Sequence, residues 1–168
     1  MFVPIDLVKL SLDSIDLVLI GRLTRDGRAT WVDLASEAGL TPPAVAARVR
    51  HLEETGVIRQ FAALVSPAAV DVVTAFVDLT FDSPDGHEEF RQTMGRLVAV
   101  QECHRIAGGS QYRLKVRTRS TAELDALLTT VIAKAAPGAD VRVSMVLSTI
   151  KESPVFPLPR PAVEPARY

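Results

Sequence analysis

The chain has little of several things that would betray its chemistry at once. Cysteine occurs a single time, as Cys103, in 168 residues. One thiol excludes an intramolecular disulfide and a Cys-x-x-Cys metal knuckle, and it fits a reducing compartment. Aromatic residues make up only 5% of the chain, which is poor material for gripping a large planar macrocycle. No apolar run approaches the roughly 18 residues of a membrane helix. The opening Met-Phe-Val-Pro-Ile-Asp sets Asp6 where a secretory signal would carry positive charge. The expectation is a cytoplasmic protein, neither secreted nor membrane-spanning. An excess of either charge is missing too, since 19 Lys and Arg meet 20 Asp and Glu. Any affinity for nucleic acid must therefore come from local placement of cations.

What is present is the balance of a folded chain, 48% hydrophobic and 23% charged. That balance rules out disorder of the whole chain. The length allows one ordinary domain or two small ones, at roughly 100–200 residues per domain, and is too short for a large barrel enzyme. No internal repeat is visible.

The first sixty-five residues read as three helices. Asp13 can cap a helix with apolar Ile15, Val18, Leu19 and Leu23 at three- and four-residue spacing, stopping at the turn Asp26-Gly27. Thr30-Trp-Val-Asp33 is a capping-box variant that opens a short helix with Leu34, Ala35 and Ala38 inward and Gly39 as its left-handed stop. Thr41 as cap and Pro42 in the first helical position open a third helix that ends near Gly56. Two helices separated by Gly39-Leu40-Thr41 make a helix-turn-helix. At 100° per residue, Val45, Val49 and Leu52 share one side of the third helix, and Pro43, Ala47, Arg50 and His51 share the other. No acid stands between Thr41 and His51. Small residues let such a helix approach the major groove of double-stranded DNA, and Arg50 and His51 supply donors to base edges or phosphates. Arg48 on the flank is expected to reach a phosphate, with Arg22, Arg25, Arg28 and Arg59 as further backbone contacts. The alternative for this unit is a small structural bundle with solvated arginines. The run 57–65 that follows is strand-like, a wing or a connector.

Beyond Ser66-Pro67 the pattern switches to strand over Val72–Phe81, a helix opened by Ser83-Pro84 with Phe90, Met94 and Leu97 inward, and strand over Val98–Ile106. A Gly108-Gly109-Ser110 turn and a strand over Tyr112–Val116 come next. Ser120-x-x-Glu123 then caps an amphipathic helix carrying Leu124, Leu127, Leu128, Val131 and Ile132, ended by Pro137-Gly138. The final strand is expected over Val141–Ile150. The order βαββαβ is the ferredoxin-like arrangement, with both helices on one face of a four-stranded sheet. Its other face is left to cover, and the usual cover for such an apolar sheet face is a second copy of the same subunit, which predicts a homodimer. The fold class is therefore α+β, with a winged helix-turn-helix domain over 1–65, a βαββαβ domain over 66–153 and a proline-rich, extended tail over 154–168.

Three stretches together resemble the Lrp/AsnC family of feast/famine transcription regulators. They are Leu12-Asp13-x-x-Asp16 with Asp26-Gly27-Arg28; Leu34-Ala35-x-x-x-Gly39-Leu40-Thr41 with Val45, Arg48-Val49-x-x-Leu52-Glu53-x-x-Gly56-Val57-Ile58; and Val100-x-Glu102-Cys103-His104 with Leu147-Ser148-Thr149-Ile150-Lys151-Glu152-Ser153. The resemblance spans Leu12 to Ser153. It implies an operator-binding helix-turn-helix joined to an effector-sensing domain whose dimers assemble further, commonly into octamers. It also places a small-molecule effector near the turn Ala107–Tyr112, where the backbone of Gly108 and Gly109 can turn N–H groups toward a carboxylate. Ser110, Gln111 and Ser144 complete that candidate set. The family often carries Asp at the positions of Gly109 and Gln111, and Thr at those of Val141 and Val143. Neither acid is present here, so the acid end of a ligand is expected to matter more than its amine. Weak or no response to ordinary amino acids is expected, with a carboxylate-only or uncharged-amine metabolite as the better candidate, or no effector at all.

Enzyme readings find less support. Cys103 and His104 are consecutive on a strand and point to opposite faces, so they cannot form a nucleophile–base dyad. His87-Glu88-Glu89 starts like a zinc-protease helix, but the second ligand position holds Arg91. No catalytic residue, metal or cofactor is expected. Siroheme decarboxylases resemble the Lrp/AsnC architecture and are the enzyme rival. Their His-Asn-Tyr-x-Arg stretch has no counterpart at Glu102-Cys103-His104-Arg105. An effector-independent DNA-organising protein is the other alternative.

Overall fold

The computed structural model describes residues 12–81, 87–108 and 111–158. These divide into two units, one formed by 12–64 together with 151–158 and the other by 65–150.

In the first unit, α1 (Ser14–Leu23), α2 (Trp31–Ala38) and α3 (Pro42–Glu54) pack around Leu19, Leu34, Ala35, Val45 and Val49. Each start is set by local chemistry. The Asp13 carboxylate accepts the Asp16 N–H at 2.8 Å while the Asp16 carboxylate accepts the Asp13 N–H at 3.1 Å, a reciprocal capping box. Thr30 and Asp33 repeat the device on α2. Gly39 ends α2 at φ 65°, the left-handed region where a side chain is strained. Thr41 holds the N-cap position of α3 by backbone alone. Its hydroxyl makes no capping bond, in contrast to the sequence expectation, because prolines at 42 and 43 have no N–H to offer and leave fewer donors to cap. Ile58 N–H reaches back to the Leu52 carbonyl at 2.9 Å. The strand expected over 57–65 does not form: these residues pair with no ladder among the described residues. Apolar, β-branched composition supplies the propensity for a strand, but a strand also needs a hydrogen-bonded neighbour.

The second unit has β1 (Val73–Thr80), α4 (His87–Met94), β2 (Val100–Arg105), β3 (Tyr112–Thr118), α5 (Thr121–Ala126) and β4 (Asp140–Met145). The sheet order is β2-β3-β1-β4, antiparallel throughout, as a ferredoxin-like fold requires. Ala75, Val77, Leu79, Leu114 and Val116 project into one core with Phe90, Met94, Leu124 and Ile132 from the helices. The opening of α4 expected at Ser83-Pro84 lies outside the described residues.

Downstream of α5 the helix loosens into a π-helical run over Leu127–Ile132 before one α-turn at Ala133–Ala135. Thr129 and Thr130 donate their hydroxyls to the carbonyls of Asp125 and Ala126, the acceptors that α-helical N–H groups would use. The last strand stops at Met145, five residues short of expectation. Leu147 and Ile150 are almost wholly exposed, so nothing in the unit rewards continuing the ladder.

The open sheet face also differs from expectation, because it is polar. Alternation puts Phe76, Asp78 and Thr80 of β1 on it, with Arg113, Lys115 and Arg117 of β3, Glu102 and His104 of β2, and Asp140, Arg142 and Ser144 of β4. Only Phe76 among these is apolar. Besides Phe76, the exposed large apolar side chains of the strands are at the β4 edge, on Val141, Val143 and Met145.

Candidate nucleic-acid interface and effector turn

On α3 the buried stripe is Val45, Val49 and Leu52, and the exposed face carries Thr41, Pro43, Ala47, Arg50 and His51. The structure therefore brings these candidates onto one surface. Arg28 is exposed on the turn after α1, where its N–H is held by the Asp26 carboxylate at 3.0 Å. Among the described residues the guanidinium groups of Arg25, Arg28, Arg50 and Arg59 have no protein partner and are free to meet phosphate or base edges.

Two arginines expected at this surface are engaged. Arg22 pairs with Glu37 at 2.9 Å and with Asp26 at 3.2 Å. Arg48 places Nη1 2.6 Å from Asp13 Oδ2 and 2.9 Å from Asp16 Oδ1. The two carboxylates raise the pKa of Arg48, Asp16 foremost, and the Asp16 N–H, with the Arg48 guanidinium behind it, lowers that of Asp13. Sequence reading missed these partners because they lie on α1, in a different stretch of chain.

At the effector turn, Gly108 has φ 122°, open to glycine and strained for other residues. Gly109 and Ser110 lie outside the described residues. Gln111 is built into the fold: its N–H donates to the Leu79 carbonyl at 2.9 Å and its Nε2 to the Phe81 carbonyl at 3.0 Å. Its Oε1 is buried without a protein partner among the described residues. Beneath it Tyr112 is buried among Phe81, Phe90 and His87, with His87 Nδ1 3.2 Å from the Tyr112 hydroxyl. Along the chain this cluster shows only as scattered aromatics. Ser144 is not brought to the turn. It pairs with Phe76, three residues along β1 from Leu79, or about 10 Å at strand spacing. An open groove of about 400 Å³, lined by Val70, Val98, Ala99, Arg117 and Thr118 among others, lies at the other end of the sheet.

Cys103 faces the helices, half-buried, with its thiol pKa pushed up by that burial, while His104 faces the open side and meets Glu102 at 3.1 Å. His87 contacts Tyr112, and Arg91 pairs with Glu88. No group of three or more His, Cys, Asp or Glu is placed to hold a metal among the described residues. No helix among the described residues is long and apolar enough to cross a membrane.

A cation-bearing helix-turn-helix joined to a βαββαβ unit defines a class of DNA-binding transcription regulators with a ligand-binding domain, and comparison with known proteins agrees. The AsnC-type helix-turn-helix domain matches residues 12–53, and the Lrp/AsnC ligand binding domain matches residues 74–156. The leucine-responsive regulatory protein of Haemophilus influenzae is 34% identical over 146 residues, 85% of this chain and 88% of that protein. Two solved structures have the same fold. The feast or famine regulatory protein of M. tuberculosis complexed with L-methionine has a TM-score of 0.73 at 34% identity, covering 84% of this chain and 96% of that one. A transcriptional regulator of Neisseria meningitidis in complex with L-Met has a TM-score of 0.74 at 27% identity, covering 88% and 97%. The chain belongs to the Lrp/AsnC family.

Proposed function

We propose that this regulator reads a near-palindromic operator with α3 in the major groove. Thr41, Pro43 and Ala47 allow the close approach, Arg50 and His51 reach base edges, and Arg28 holds phosphate. The observation that carries this reading is the exposed face of α3 from Thr41 to His51, which holds no acid and bears Arg50 and His51, the Arg50 guanidinium having no protein partner among the described residues; Glu53 and Glu54 follow only at the far end of the helix. A symmetric dimer presents two such helices, so half-sites spaced by about 34–36 Å, or a multiple, fit it. Phe76 and the exposed edge of β4 give the second unit the surface for self-association, with higher assembly up to an octamer following the family. The protein acts in the cytoplasm as a regulator without catalysis of its own.

The effector we assign is a small carboxylate-bearing molecule of amino-acid size, held by the backbone at Gly108–Gly109 with Ser110 and Gln111 beside it. The two relatives solved with L-methionine support that class. Gln111 is uncharged, so the ligand's acid end contributes most. The test is binding of the purified protein to its own upstream DNA, with and without a panel of amino acids including L-methionine. Sequence-specific retardation altered by a panel member is expected; absence of any sequence preference overturns the reading. Light scattering that finds a monomer at micromolar concentration overturns the dimer.

A further inference from the structure

The Arg48 contacts form a closed circuit. Asp13 gives Oδ1 to the Asp16 N–H and Oδ2 to Arg48, and Asp16 gives Oδ2 to the Asp13 N–H and Oδ1 to the same Arg48 nitrogen. Every oxygen of both carboxylates is used. A capping box usually pairs a hydroxyl with an acid; here both members are acids, and two carboxylates this close repel unless a cation sits between them. Arg48 supplies that cation from the middle of α3, more than thirty residues away. The Asp16 side chain is only 12% exposed, so its carboxylate depends on these partners rather than on water.

The circuit pins α3 to the start of α1 at one residue. Position 48 lies between Ala47 and the pair Arg50 and His51, so fixing it sets the rotation of α3 about its own axis. That rotation decides where those side chains meet a base pair, and recognition of this kind tolerates only about 0.5 Å and 10–20°. We propose that Arg48 is a positioning residue for DNA recognition, acting through Asp13 and Asp16 to set the azimuth of α3, and that it is not a phosphate contact. This rests on the reading above that α3 enters the groove.

Charge alone and positioning make opposite predictions for Asp16. Removing a negative charge near DNA strengthens binding if only electrostatics matter. If the circuit positions α3, the same change weakens specific binding. The test uses the full chain with its own upstream DNA and a random-sequence duplex, titrated between 50 and 200 mM salt. Asp16→Asn and Arg48→Met are expected to lose about tenfold on the specific site and less than about twofold on the random duplex, with the salt slope unchanged. The double variant should be no worse than either single one, since they break one circuit. Arg48→Lys should recover part of the loss by reaching one carboxylate. Asp13→Asn, which keeps a good N-cap, guards against simple failure of α1 to form. A salt slope reduced by about one per subunit with equal loss on both duplexes shows a direct phosphate contact and overturns the proposal. Tighter binding by Asp16→Asn overturns it as well. The His51 ring resonances of the DNA-free protein give a separate reading. They should move in Asp16→Asn, and unmoved resonances overturn the circuit's hold on α3 whatever the DNA result.

Discussion

Asp78 and Arg113 stand directly opposite each other on β1 and β3 and meet through two hydrogen bonds, Arg113 Nε to Asp78 Oδ1 at 2.7 Å and Nη2 to Oδ2 at 3.0 Å. Arg142 faces the same carboxylate from β4. The hydrogen bond from Arg113, with the charges of both arginines, holds the Asp78 carboxyl below the ordinary carboxylate range. A lowered folded-state pKa contributes stability that is fully present above the unfolded value of about 3.9 and is lost as pH falls through the folded one. Asp78→Asn should therefore cost about 0.5–1 kcal/mol at pH 7, the modest value reflecting an exposed Arg113. In urea unfolding the gap between wild type and variant should begin to shrink as pH falls below about 4, the unfolded carboxyl value; a gap independent of pH counts against the pairing.

Base reading and phosphate contact separate on α3 and its neighbour turn. Arg50→Ala should lose roughly 1–3 kcal/mol on the specific site and relax preference at one base pair. Arg28→Ala should weaken all sequences evenly and reduce the salt slope by about one. Anisotropy titrations on specific and random duplexes distinguish the two patterns. Equal behaviour of the two variants contradicts the assignment.

Gly39 isolates backbone conformation from crowding. A Cβ there would meet nothing within 4 Å, yet φ is +65°. Gly39→Ala should lower stability by about 1–2 kcal/mol through the left-handed backbone alone. Chemical denaturation followed by Trp31 fluorescence reports the affected unit. An unchanged midpoint means the turn adapts.

Cys103 should be a poor nucleophile. Its pKa is raised by burial, so little thiolate exists at neutral pH. Iodoacetamide should alkylate the native protein at least severalfold more slowly than a free thiol, and the difference should vanish in denaturant. Rapid native alkylation would show that the strand face is accessible.

The helices were legible because their signals are local. Thr30 and Asp33 cap each other three residues apart, Gly39 stops what they start, and Val45, Val49 and Leu52 mark a face by spacing alone. The βαββαβ order followed from alternation. What escaped is set by distance along the chain or by the need for a partner. Arg48 looks like a free cation until Asp13 and Asp16 are brought to it. Gln111 carries no sign in the sequence that its side-chain nitrogen is held by the Phe81 carbonyl, which leaves only its oxygen for a ligand. Residues 57–65 have the composition of a strand and no neighbour to make them one. The exposed face of α3 was thus readable from spacing, the engagement of its flanking arginine was not, and the effector turn was readable only as a glycine-rich position.

The return of residues 151–158 to the first unit has a consequence for biosynthesis. Leu158 approaches within 3.6 Å of the point where a side chain at Gly21 would begin, although the two are separated by the whole βαββαβ unit. As the chain leaves the ribosome, α1 to α3 emerge first and can pair their own apolar faces. The patch at Gly21 then stays open until the βαββαβ unit and the residues up to Leu158 have been translated. The contact closes late, and it belongs to the costly long-range class that slows folding. A ribosome-stalled fragment ending after residue 65 should accordingly present a helix-turn-helix with α1 bare at Gly21, more open to proteases than the same helix in the finished protein.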